Sequence, residues 1–156
     1  MNAAVFDPDT FLNQTVDAAL DTKYPTVPAG EYPATISKIE ARQMPNQKDP
    51  EKGPFTVLDV TWKIDDENAK KETGLDEPTC RQSLFLDMTP EGGLDTAPKK
   101  NVQLGRLREA LGLNEDGQAF SFNMLVGQAA LVRVDHAPSK TDPETVYANV
   151  TKVAPF

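Results

Sequence analysis

The order of patterned segments constrains this chain most. Three stretches alternate apolar and polar residues with a period of two, at 30–41, 55–64 and 79–88. One stretch with leucines at helical spacing follows at 101–111, and two more alternating stretches at 128–136 and 145–153 close the pattern. Alternation over five to ten residues is the signature of half-buried strands. The chain therefore reads as mainly β, in the order β-β-β-α-β-β. A helix between the third and fourth of five strands is the layout of the OB-fold, a small, partly open barrel that holds oligonucleotides or oligosaccharides on one face.

The 156 residues suit one domain with short appendages. Residues 1–29 read as an N-terminal helix and extended connector, and 30–156 as the barrel. Asp7-Pro8 places an N-cap before a proline at the first helical position. Phe11/Leu12, Val16 and Ala19/Leu20 then recur on one side, predicting an amphipathic helix that ends near Asp21. It either docks on the barrel or reaches a partner or a second copy. Pro25 and Pro28 mark the connector as extended.

Within the first strand, Tyr32, Ala34 and Ile36 share a face, while Ile39 and Ala41 continue out of phase. The one-residue slip predicts a β-bulge, which lets a strand curve around a barrel. In the second strand Leu58, Val60, Trp62 and Ile64 point inward; in the third, Cys80, Leu84 and Leu86 do so. Residues 65–78 form an acidic insert with a helical turn. Leu104, Leu107 and Leu111 form a stripe that closes the bottom of the barrel, and Gly112 ends that helix in a left-handed conformation. Arg106 and Arg108 are expected on the solvent side. Phe120, Phe122, Met124 and Leu125 form an apolar patch suited to another short turn.

Enzymatic chemistry lacks parts. His136 is the sole histidine, and no nucleophile motif accompanies it. The lone Cys80 cannot form an internal disulfide or, with a lone histidine, a zinc site; it reads as a small buried side chain. Asp65-Asp66-Glu67-Asn68 lacks the spacing and central glycine of a calcium loop, and Gly92-Gly93 lacks the lysine of a phosphate loop. No catalytic residue, metal or cofactor is expected. No apolar run is long enough to span a membrane, and nothing resembles a secretory leader, so the expectation is a cytoplasmic protein without membrane contact.

The net charge of −8 as a sum opposes nucleic-acid binding, but its distribution matters more. Residues 1–31 carry −4 and residues 65–77 another −4, which leaves the rest of the barrel neutral. A local basic face then becomes available. Single-strand binders combine a positive groove with flat side chains, because every base has a π-face to stack. The outward cations are Lys38, Arg42, Lys63, Arg81 and Arg133, and the outward rings Phe85 and Tyr147. Lys48 and Lys52 lie in the loop after the first strand and Lys140 in the last hairpin loop, the two loops that flank an OB groove. Phe85 either stacks on bases or packs beneath the N-terminal helix. Phe55 is a second ring, of unassigned direction. Trp62 and Tyr32 belong to the core. Lys99-Lys100 stands unusually ahead of a helix N-terminus, where a bound phosphate or simple solvation would accommodate it.

These residues bear a family resemblance. Val27-Pro28-Ala29-Gly30-Glu31-Tyr32-Pro33-Ala34 resembles the opening strand of the phage-type single-stranded-DNA-binding proteins associated with recombination. Leu104-Gly105-Arg106-Leu107-Arg108-Glu109-Ala110-Leu111-Gly112-Leu113 is similar to their single helix. Leu125-Val126-Gly127-Gln128 with Leu131-Val132-Arg133-Val134 resembles the lead into their fourth strand, and residues 144–153 their closing strand. The resemblance implies a non-enzymatic protein that coats single-stranded DNA in phage replication or recombination, within the host cytoplasm. It also implies replication or recombination proteins as partners. Thr151-Lys152-Val153-Ala154-Pro155-Phe156 carries no acidic residue, unlike the acidic recruiting tail of many such proteins. The competing expectation is a phage virion component or protein-interaction module on the same barrel. Net acidity and the N-terminal helix, as a route to homo-oligomers, favour it.

Overall fold

Inward-facing side chains alternate along all five strands, and closing the sheet on itself gives them a common interior. The computed structural model describes residues 5–20, 25–142 and 145–156. The strands are β1 (Gly30–Met44), β2 (Phe55–Ile64), β3 (Thr79–Leu86), β4 (Ala129–Pro138) and β5 (Val146–Ala154). They form a closed barrel in the order β1-β2-β3-β5-β4, with β4 returning to β1. The helices are α1 (Pro8–Leu12), α2 (Glu67–Thr73) and α3 (Val102–Ala110), with 3₁₀ turns at Pro50–Lys52 and Phe122–Leu125. The chain is thus mainly β with an OB-like barrel, and α3 joins β3 to β4.

β1 serves two neighbours. Its first half pairs with β4, from Gly30 opposite Val134 to Thr35 opposite Ala129. From Ala34 to Met44 it pairs with β2. The register slips between Ile36 and Lys38, so the expected bulge is present. Ser37 is the extra residue, and its hydroxyl donates to the Thr61 carbonyl at 3.3 Å. A second slip in the β4–β5 ladder falls between Arg133 and Val134. β3 and β5 meet through one parallel bridge, Arg81 to Asn149.

The core lies where the alternation put it. Ile36, Val60, Trp62, Ile64, Leu84, Val132 and Val134 are buried, as are Tyr32 and Cys80. The Trp62 indole donates to the Gln82 carboxamide at 2.9 Å, which satisfies its one polar atom inside the barrel. Burial pushes the Cys80 thiol up to about 11. The Tyr32 hydroxyl donates to the Pro28 carbonyl at 2.7 Å, and Val27 joins the core. The connector is therefore anchored at its barrel end.

α3 closes one end by burying Leu104 and Leu107, with Leu111 half-buried beside them. Gly112 follows at φ +71, the left-handed exit expected of it. Asn101 sets the start. Its backbone is left-handed (φ +53), a conformation asparagine tolerates, and its side chain bonds the Asp87 N–H (2.8 Å) and the Asp87 and Asp95 carbonyls. The Asp87 carboxylate accepts the Asn101 N–H at 2.8 Å. The negative charge at the helix start that follows Lys99-Lys100 is thus supplied by the chain itself. In the acidic insert, Asp66 caps α2 by accepting the Ala69 N–H at 2.9 Å.

Two expectations need correction. The N-terminal helix is only Pro8–Leu12, capped as predicted by Asp7, and does not continue to Val16 and Leu20. Residues 5–20 are all exposed, so no packing offsets the weak helix propensity of Asn13, Thr15, Val16 and Asp17. Position 21, where that helix was expected to end, lies outside the described residues, as does residue 144 of the last hairpin loop. Arg108 is not on the solvent side. Its guanidinium carbon lies 4.1 Å from the centre of the Phe120 ring, and its Nε donates to the Leu113 carbonyl at 3.0 Å. This cation–π contact draws the Phe120 patch against α3.

Leu107→Ala should remove a fully buried plug and cost about 2–5 kcal/mol, read as a lower urea midpoint. Arg106→Ala, one residue away on the exposed side of α3, should shift the midpoint little.

Candidate nucleic-acid interface

The bulge at Ser37 reverses the facing of β1, so Lys38, Glu40 and Arg42 point outward beside the outward residues of β2 and β3. Register places three rows across these strands: Arg42, Val57 and Phe85; Glu40, Asp59 and Ser83; Lys38, Thr61 and Arg81. Lys63 pairs with Thr79 in the next row, and Phe55 with Met44 at the loop end. Five of the sequence-derived candidates, Lys38, Arg42, Lys63, Arg81 and Phe85, thus share one face.

Phe55 and Phe85 form the most distinctive feature of that face. Their ring centroids are 5.9 Å apart in an edge-to-face arrangement, with 47% and 55% of each residue exposed. α1 does not cover Phe85. Val57 beneath them is fully buried despite pointing outward, so the two rings rest on a packed base. The direction of Phe55, which alternation left open at a strand start, is fixed by its register with Met44.

At the centre of the face lies Asp59, only 5% exposed. Its carboxylate accepts from the Arg42 guanidinium at 2.5 Å and 3.4 Å and from the Ser83 hydroxyl at 2.7 Å. The Arg42 bond, opposed by desolvation and helped by Ser83 and the nearby Arg81 charge, holds the Asp59 carboxyl below the usual carboxylate range. The same bond raises Arg42. Sequence reading placed Asp59 outward and did not identify it as a site residue. Its signal was an outward acid with Ser83 directly across on β3 and Arg42 diagonal to it on β1, visible only once the register is known.

Other cations are also compensated. Lys38 pairs with Glu40 (2.7 Å), Lys63 with Glu77 (3.8 Å) and Lys52 with Asp49 (3.6 Å). Among the described residues Arg81, Lys48 and Lys140 make no ion pair. Arg133 is not on this face: β4 sets it opposite Glu31 and Lys152, and it pairs with Asp135 at 3.3 Å. Alternation along a strand reports inside or outside, and in a closed barrel the outside is a full circle. Tyr147 faces outward opposite Ala137 on β5, two residues before the Asn149 that bridges Arg81. It therefore flanks the face at the seam, with Lys140 in the adjacent β4–β5 loop. Lys48 and Lys52 occupy the β1–β2 loop.

His136 has a structural partner: its Nε2 donates to the Val27 carbonyl at 2.7 Å, tying the connector to β4. Among the described residues no three His, Cys, Asp or Glu side chains converge as a metal site, and no helix is long and apolar enough to cross a membrane. Comparison with protein-family models and with curated proteins finds no match for this chain.

Asp59→Asn should cost about 2 kcal/mol near neutral pH, the scale of a lost charge-assisted bond. The folded carboxyl titrates below the unfolded value of about 3.9, so its contribution is complete above that value and disappears as pH falls through the folded one. Urea denaturation should show a constant gap between wild type and variant from neutral to mildly acidic pH, closing in stronger acid. A gap that persists unchanged into strong acid would contradict the Arg42–Asp59 bond as its origin.

Proposed function

We propose that the protein binds single-stranded DNA without sequence preference, across the outer face of β1, β2 and β3. The observation that carries this reading is the solvent-exposed Phe55–Phe85 pair on an OB-like barrel, on the face that also carries Arg42 and Arg81. Two phenyl rings held open on a packed base offer stacking surface to successive bases. Arg81, Lys48 and Lys140 supply charge for phosphates, while Arg42 is held in position by Asp59. The resemblance of the opening strand, α3 and the closing strand to phage recombination-associated binders supports a role in phage DNA replication or recombination. That role would be exercised in the host cytoplasm alongside replication or recombination proteins. The reading involves no catalytic step and no cofactor.

A second reading, a phage virion component or protein-interaction module, draws on the carboxylates that compensate Lys38, Arg42 and Lys63 and on the charge of −8. Stoichiometric presence of the chain in purified particles would favour it.

A labelled oligothymidine titrated at low salt should bind, and no shift at tens of micromolar protein would defeat the proposal. Phe85→Ala should weaken binding by about 1–3 kcal/mol with the fold intact by circular dichroism. Arg81→Gln should lower the slope of log affinity against log salt by about 0.7, one phosphate contact on a single strand.

A further inference from the structure

The barrel carries a second concave surface that the stacking face does not use. β3 and β5 share one bridge and then diverge, and α3 spans the gap. Between α3 and the last half of β5 a cleft of about 930 Å³ opens, a volume typical of ligand pockets. Leu84, Leu107 and Val150 contribute buried apolar walls and Val153 a half-buried one. Arg106, Arg133 and Lys152 stand on the rim against Glu31 and Glu109. Arg106 and Lys152 make no ion pair among the described residues.

The chain also carries a segment of complementary character. Residues 5–20 contain Asp7, Asp9 and Asp17 and no cation. Within them Phe6 and Phe11 pack ring against ring at 5.6 Å, yet remain 70% and 58% exposed, and Leu12 is exposed beside them. A contiguous apolar cluster of this kind on a short arm, left uncovered by its own barrel, marks an interaction element.

We propose that the Phe6–Leu12 arm of one copy docks in the α3–β5 cleft of a second copy, its two rings on the apolar walls and its aspartates toward Arg106 and Lys152. Charge complementarity selects this occupant: the arm is purely acidic, and the rim offers Arg106 and Lys152, two cations without an ion pair among the described residues, in a chain whose total is −8. Exchange of identical arms is a low-cost route to self-association, because each copy brings both the arm and its receptor. Phe55, Phe85, Arg42 and Arg81 do not line this cleft, so this association stands or falls independently of DNA binding.

Sedimentation velocity of the full chain over a concentration series tests the proposal. The expected result is reversible self-association at micromolar protein that weakens as salt rises. Phe6→Ser/Phe11→Ser should abolish association with the fold intact by circular dichroism, since both rings are exposed and outside the core. Arg106→Glu should weaken it several-fold, and adding Asp7→Lys/Asp9→Lys to Arg106→Glu should restore it. A chain that stays monomeric throughout would overturn the proposal. So would association indifferent to the Phe6→Ser/Phe11→Ser change. A monomer whose arm amides are protected from hydrogen exchange at every concentration would also overturn it, by placing the arm in its own cleft.

Discussion

The structure depends on one strand changing face partway along its length. β1 must hold β4 with its first half and β2 with its second, and a regular 15-residue strand would carry one set of side chains inward throughout. The extra residue at Ser37 lets Tyr32, Ala34 and Ile36 fill the barrel on one side of the bulge and Ile39 on the other. It also decides that Lys38 and Arg42 emerge beside Phe85 and Arg81. Closure of the barrel and composition of the candidate interface are thus two results of one inserted residue.

Burial of Asp59 in the outer face links stability to that interface. A carboxylate so little exposed needs compensation, and Arg42 and Ser83 provide it from both neighbouring strands. The bonds fix the Arg42 side chain in the row that also holds Phe85. They leave Arg42 less free charge than a solvated arginine has. On this face aromatic surface is abundant and uncompensated cation is scarce, which shifts the balance of any polynucleotide contact toward stacking.

Much of this was legible in the residues. Strict alternation in β2 named Val60, Trp62 and Ile64 as core, and the slip between Ile36 and Ile39 revealed the bulge, because period-two patterns are local. The Leu104–Leu107 stripe and Gly112 located α3 for the same reason. Arg133 was grouped with Arg81 because alternation cannot say which side of a cylinder an outward residue occupies. Asp59 passed unnoticed because its partners come from β1 and β3, 17 and 24 residues away. The helix expected beyond Leu12 carried a correct apolar period, but a period describes a surface and supplies nothing to pack it against.

The lone bridge between Arg81 and Asn149 gives the cylinder a seam. Every other ladder holds six or more residue pairs, so thermal fluctuations of the closed sheet concentrate where β3 and β5 touch. α3 sits across that gap, pressing Leu104 and Leu107 into the interior. It therefore acts as a wedge that holds the unzipped strands apart, while the rings on β2 and β3 sit on the long β1–β2–β3 ladders.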